Sequence, residues 1–192
     1  MNDAISSIKD NDYNLEMIKF LIQQGVPINK CDQDGYTPLT CAIEDGKIEI
    51  VKFLVANGAD IDFIDPYSWT PLIVAIQGNH LEIAMYLIQQ GANVNLGDNL
   101  GWTPLTCAIG ENGNLEAVRL LVENGADIHI HDGRTGWLPM SYAIDIDAPE
   151  IVRYLMCNGA NMNYQDKYGK KAIEVTLHDY IADIDMFKML VM

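Results

Sequence analysis

Apolar residues recur along this chain in short bursts separated by small and polar ones. Leu39, Ala42 and Ile43 stand at i, i+3 and i+4, the spacing that aligns side chains on one face of a helix. Ile48, Val51, Leu54 and Val55 repeat the pattern a few residues on, and the two bursts predict a pair of short amphipathic helices. Thr37 and Pro38 open the first helix as N-cap and first helical residue, where proline's missing N–H costs nothing. It ends near Gly46, and the equivalent places hold Asn79, Gly113 and Asp147. All three residue types, Gly, Asn and Asp, accept the positive φ that a left-handed cap requires. The second helix recurs as Leu81, Ala84, Leu87, Ile88 and as Leu115, Val118, Leu121, Val122, and Gly58 and its equivalents close it. Between pairs, Asp32-Gln33-Asp34-Gly35 and Asp98-Asn99-Leu100-Gly101 carry Asp first and Gly fourth, a type I turn signature. Asp65-Pro66-Tyr67-Ser68 keeps the proline and loses the glycine.

The pattern is periodic. Thr37-Pro38-Leu39-Thr40-Cys41-Ala42-Ile43 returns letter for letter at Thr103 to Ile109, 66 residues later, with Thr70-Pro71-Leu72-Ile73-Val74-Ala75-Ile76 midway. A fourth copy, Leu138-Pro139-Met140-Ser141-Tyr142-Ala143-Ile144, is displaced by one extra residue in each of two loops. Gly25, Gly58, Gly91, Gly125 and Gly159 run in phase, spaced 33, 33, 34 and 34. A unit of 33 residues with a turn, two helices and a Thr-Pro-Leu-x-x-Ala core resembles the ankyrin repeat.

The resemblance implies an all-α solenoid of helix-turn-helix units with β-hairpin fingers, one domain over residues 1–192. Full repeats are expected at 31–63, 64–96, 97–130 and 131–164, between an N-terminal capping repeat at 1–30 and a C-terminal one at 165–192. Neighbour stacking supplies the stability of such an array, so its ends must be sealed. The first unit begins with polar Asn2, Asp3, Ser6, Ser7 and Lys9. The last replaces Thr-Pro-Leu with Lys171-Ala172-Ile173 and ends in Met186, Phe187, Met189, Leu190 and Val191. That final helix is expected to be cap core in a monomer, with dimerisation through it as the alternative. Ankyrin repeats usually carry His after Thr-Pro-Leu. Here Thr40, Ile73, Thr106 and Ser141 stand there, so the bonds of that His between repeats are expected to be absent or replaced by hydroxyls.

Composition narrows the function. The apolar share is 49% and the charged share 20%, an ordinary globular balance. No run of about 18 apolar residues argues for a membrane span, and the N-terminus lacks a basic stretch followed by an apolar block. A cytoplasmic location is expected. The net charge of −15, from 27 acids and 12 bases, opposes binding to nucleic acid and anionic membranes. Lys167, Lys170 and Lys171 form the sole basic cluster, too small for a nucleic-acid footprint.

Candidate chemistry is sparse. Cys31, Cys41, Cys107 and Cys157 lie 10, 66 and 50 residues apart without a C-x-x-C, which reads as free thiols in a reducing compartment rather than a disulfide or zinc framework. Cys41 and Cys107 share one helix position two units apart, about 20 Å in a stack of helices spaced ~10 Å, and are expected in the core. His129 and His131 alternate within Asp127-Ile128-His129-Ile130-His131-Asp132 and fall on one side of an extended segment, but ordinary exposed histidines explain them. His80 and His178 sit in separate units. No Gly-rich phosphate loop occurs. The expectation is a protein with no enzymatic activity, catalytic residue, metal or cofactor.

One variable position stands out. The residue after the turn is Tyr36, then Trp69, Trp102, Trp137 and finally Lys170, so all three tryptophans share a slot. In ankyrin-repeat proteins this slot projects from the fingers onto the concave side, where partners usually bind. Four aromatics at ~10 Å steps would make a ladder about 30 Å long, joined by Tyr67, Leu100, Arg134 and Tyr168 nearby. Such side chains are enriched in interface hot spots. No Lys or Arg occurs between Lys52 and Arg119, while Glu44, Asp45, Glu111, Asp145 and Asp179 end the first helices. The expectation is a protein-binding groove of rings and acids suited to a basic partner, acting by occlusion as an inhibitor or immunity protein against a basic toxin or enzyme. The alternative is a scaffold or effector that recruits a cellular protein without inhibiting it.

Overall fold

The computed structural model describes residues 15–66, 69–97, 101–110, 113–133, 135–161 and 163. The helices are α1 (Leu15–Gln23), α2 (Pro38–Glu44), α3 (Ile48–Ala56), α4 (Pro71–Gln77), α5 (Leu81–Gln89), α6 (Pro104–Ile109), α7 (Leu115–Glu123), α8 (Pro139–Asp145) and α9 (Pro149–Cys157). They belong to two compact units, 1–98 and 99–192. Residues 1–14 and 164–192, which include most of the sequences read as terminal caps, lie outside the described residues.

Each repeat starts as its sequence dictates. Thr37 is extended (φ −91°, ψ 163°) with Pro38 following it into α2, and its hydroxyl accepts from the Thr40 N–H at 3.1 Å. Thr40 answers by accepting from the Thr37 N–H at 2.8 Å and donating to the Thr37 carbonyl at 3.0 Å. That is a capping box built of two threonines. Thr103 and Thr106 repeat half of it, with the Thr106 N–H to the Thr103 hydroxyl at 3.3 Å and the Thr106 hydroxyl to the Thr103 carbonyl at 2.8 Å. Two of the three hydroxyls in the usual histidine position, those of Thr40 and Thr106, therefore bond inside their own first turn. In the fourth repeat Leu138 replaces the capping threonine, makes no side-chain cap and is buried instead.

The helix ends follow the two ladders. The Ala59 N–H bonds the Leu54 carbonyl and the Gly58 N–H bonds that of Val55, the paired bonds of a Schellman motif, with Gly58 at φ +91°. The first helices close at Gly46, Asn79, Gly113 and Asp147, whose φ values are 66°, 55°, 57° and 56°. Four different sequence contexts thus reach one backbone shape, and two of them do so with a side chain in place.

In the first unit α2 packs on α3 and α4, α4 on α5, and α3 on α5. The second repeats this, with α6 on α7 and α8, α8 on α9, and α7 on α9. The inner helices bury nearly every side chain: Leu39, Ala42 and Ile43 in α2, and Leu72, Ile73, Ala75 and Ile76 in α4, are 4% exposed or less. The outer helices bury one stripe, such as Ile50, Val51 and Leu54. Inner helices sandwiched between repeats and half-solvated outer helices are what neighbour stacking demands.

The loops between repeats carry no strand among the described residues. The Asp32 N–H bonds the Tyr36 carbonyl at 2.9 Å, but the Tyr36 N–H goes to the Asp32 carboxylate at 2.9 Å rather than to its carbonyl. An antiparallel pair exchanges two backbone bonds; here a side chain takes the second, as it does at Trp69 and Trp137, and these three loops are pinched turns.

Candidate functional site: the fingers

One aspartate organises each described finger. Asp32 accepts from the N–H groups of Asp34 and Tyr36, while the Gly35 N–H returns to its carbonyl at 3.2 Å. Asp65 does the same for Trp69, with N–H to carboxylate at 2.8 Å and the Asp65 N–H to the Trp69 carbonyl at 3.0 Å. Asp65 is 8% exposed, and these bonds offset burial of its charge. In the first two fingers the backbone of the aromatic slot is thus fixed by an acid four residues upstream. From sequence those aspartates read only as turn formers, and their hold on the aromatic residue emerges from the structure.

Fingers also stack on one another. A Cβ placed on Gly35 would lie 2.3 Å from Cδ and 2.5 Å from Cγ of Pro66, so the proline ring of the second finger rests directly on Gly35 of the first. In the second unit Gly101 meets the backbone of His131, Asp132 and Gly133 at 2.9–3.1 Å in the same test.

The expected slot residues differ in what their rings do. Trp69 is 38% exposed, and Ile64 beside the same pinch is 46% exposed. Tyr36, Trp102 and Trp137 are half-buried. Trp102 and Trp137 both pack edge-on against Tyr142 of α8, at centroid distances of 5.4 and 5.2 Å. The Trp102 indole N–H also donates to the Cys107 sulfur at 2.9 Å. Tyr142 takes the helix position held by Cys41, Val74 and Cys107 in other repeats. Its hydroxyl donates to the buried Asp132 carboxylate, as does the Thr135 hydroxyl. The extra residue in this finger supplies Thr135, whose hydroxyl also accepts from the Trp137 N–H at 3.1 Å. Sequence reasoning does not single out Tyr142, although a lone aromatic at a position otherwise small was the available signal. Tyr67, Leu100, Arg134 and Glu111 fall outside the described residues.

Glu44, Asp45 and Asp145 are exposed at the C-terminal ends of α2 and α8, and neither helix has a base in its last turn. Acids there oppose the helix dipole, by a few tenths of a kcal/mol each, so local stability does not account for them. Four of the six described bases, Lys19, Lys52, Arg119 and Arg153, lie on the outer helices instead, while Lys30 and Lys47 stand in loops. Lys19 and Lys52 pair with Glu16 and Glu49 at 2.7 and 3.0 Å, and the Arg119 guanidinium lies 5.5 Å from the Tyr154 ring centre. The Glu49 hydrogen bond raises the Lys52 ammonium above its usual pKa. Burial, followed by the Glu123 charge, raises the Tyr154 phenol.

Other candidate chemistry is quickly placed. None of Cys31, Cys41, Cys107 and Cys157 is in a disulfide; Cys41 is buried, whereas Cys107 is half-buried against Trp102. His129 and His131 are exposed, and among the described residues no three His, Cys, Asp or Glu side chains form a metal-holding group. The His80 imidazole nestles against Gly46 and Gly78, with Nε2 3.2 Å from the Glu44 carbonyl. Among the described residues no helix is long and apolar enough to cross a membrane.

A family model for ankyrin repeats matches three times, over residues 4–98, 48–132 and 91–166. Human protein phosphatase 1 regulatory subunit 27 is 39% identical over 77 residues, 40% of this chain and 49% of that protein. The mouse B-cell lymphoma 3 protein homolog is 42% identical over 61 residues, 32% of this chain and 14% of its own length. Rat ankyrin repeat and SAM domain-containing protein 6 is 32% identical over 78 residues, covering 41% and 9%. The chain thus spans about half of the first relative and far less of the others. With the family model covering most of its length and each unit stacked as that model requires, the chain belongs to the ankyrin-repeat family, whose repeats serve protein–protein interaction.

Proposed function

We propose that this chain is a non-enzymatic module that holds a basic protein through its finger aromatics and the acids at its inner-helix ends, and that it acts by covering a surface the partner needs. The observation that carries this reading is Trp69, a large exposed ring whose own backbone N–H is held by the buried Asp65 carboxylate. Pre-organised aromatics give interface area at low entropic cost. Acids set at helix ends that disfavour them support a role in steering a cationic partner. A relative named as a regulatory subunit of a phosphatase favours an enzyme as the target, so the module serves as an inhibitor or immunity protein. Recruitment without inhibition is the second reading, and the same ring and acids support it equally.

Trp102 and Trp137 lend part of their rings to Tyr142, so Trp69 is the cleaner probe. The full chain and its Trp69→Ala variant are used as baits in lysate of the source cell, with melting temperatures measured in parallel. The reading expects a protein retained by the parent and lost by the variant while the melting temperature barely moves. Equal retention of every protein by both baits would remove the finger from binding. The recovered protein's activity, assayed with and without added chain, separates inhibition from recruitment.

A further inference from the structure

The slot aromatics do not present equal surfaces, and the second finger is the apolar one. Ile64, Pro66 and Trp69 are all exposed there, whereas the matching places of the first finger hold Cys31, Gln33 and Tyr36. The described residues of this finger are held on two counts: Asp65 bonds Trp69 through both its N–H and its carboxylate, and Pro66 sits on Gly35. Asp34, an exposed carboxylate, is the chain neighbour of Gly35 and so stands one residue from the Pro66 contact. Asp60 is exposed at the finger's base, and no Lys or Arg occurs from residue 53 to residue 118. Lys19 and Lys52 are paired on the outer helices with Glu16 and Glu49.

From this we infer that the second finger is the anchor of the binding surface, and that its occupant is a short basic segment of another protein, with an arginine or lysine over the Trp69 indole and an aliphatic or aromatic side chain against Ile64. This rests on the protein-binding reading above and gives it a place and a chemistry. An exposed indole in an acidic field attracts a cation through both its ring face and the neighbouring carboxylates. The Ile64 side chain supplies the apolar contact that a bare cation would not satisfy. A finger about 10 Å across, the width of one helix-packing step, matches three or four residues of extended chain at roughly 3.3 Å each. Among the described residues the two indoles of the second unit, Trp102 and Trp137, are half-buried and turned edge-on to Tyr142, and so are less available.

The test uses the full chain and a panel of synthetic twelve-residue peptides of net charge +4, 0 or −4, each with or without one Leu or Phe. Binding is read by fluorescence anisotropy at two salt concentrations. The inference expects the +4 peptides carrying an apolar residue to bind at least tenfold more tightly than the others, and more weakly as salt rises. Trp69→Ala should lower that affinity about tenfold or more, Ile64→Ser should lower it for the Leu and Phe peptides alone, and Asp34→Asn should weaken it severalfold with a flatter salt response. Neutral or acidic peptides binding equally well, or cationic peptides binding undiminished to Trp69→Ala, would overturn it. So would a panel in which no peptide binds. Each of these leaves the broader reading to the lysate capture, which fails only when no protein depends on Trp69.

Discussion

Replacing Gly35 with alanine tests whether the fingers form one supported structure. Gly35 has φ +89°, so any Cβ there is strained, at about 1–3 kcal/mol. That Cβ would also fall 2.3 Å from Cδ and 2.5 Å from Cγ of Pro66. Carbon atoms rest about 3.5–4 Å apart, so the second finger must retreat by more than an ångström, and a proline ring cannot swing aside. Overpacking of this kind costs about 1–3 kcal/mol, giving a total of about 2–6 kcal/mol. Gly58→Ala is the control, because its φ of +91° carries the same strain while nothing lies within 4 Å of the added carbon. Urea unfolding followed by far-ultraviolet circular dichroism, with slopes compared between variants, should place Gly35→Ala about 1–3 kcal/mol below Gly58→Ala. Adding Pro66→Ala should restore most of that gap, as a coupling energy between the two sites. Equal losses at Gly35 and Gly58, or no relief from Pro66→Ala, would refute the finger contact and with it the support on which the docking argument depends.

Other outcomes follow from the same geometry. Tyr142→Phe removes a donor from the Asp132 carboxylate, which is 2% exposed, and should cost about 1–3 kcal/mol in a thermal or urea melt; a neutral result would mean Asp132 is satisfied without it. Asp147→Gly relieves a left-handed residue at φ 56° and should stabilise the chain by about 0.5–1 kcal/mol, read in the same titration. The raised Tyr154 phenol keeps its proton longer in the folded chain than in the unfolded one. Its contribution is complete below the ordinary tyrosine value of 10.0 and drains away as pH climbs beyond it. Unfolding midpoints at pH 8 and pH 11 should therefore converge more in Tyr154→Phe than in the parent.

Much of this architecture was legible before any coordinates, for reasons that are local. A threonine before a proline caps a helix wherever it occurs, and a residue tolerant of positive φ ends one. Thr37, Thr70 and Thr103 as caps, and Gly46, Asn79, Gly113 and Asp147 as left-handed ends, needed only their neighbours in the chain. The slot was equally visible, because period 33 puts Tyr36 and the tryptophans in register. Periodicity could not tell which rings face solvent. Trp69 and Trp102 have the same position and the same flanking Thr-Pro-Leu, yet one is exposed and the other leans on Tyr142, a residue 40 positions away.

The sequence by itself therefore determined the repeat, the helix boundaries, the sign of the charge and the family, all carried by interactions within a turn or two of chain. Tertiary structure alone decided which aromatic is offered outward, which acid is buried to hold it, and which proline sits on which glycine. Those depend on side chains meeting across repeats, where one residue, Tyr142 in the place that holds a cysteine elsewhere, meets two indoles at once.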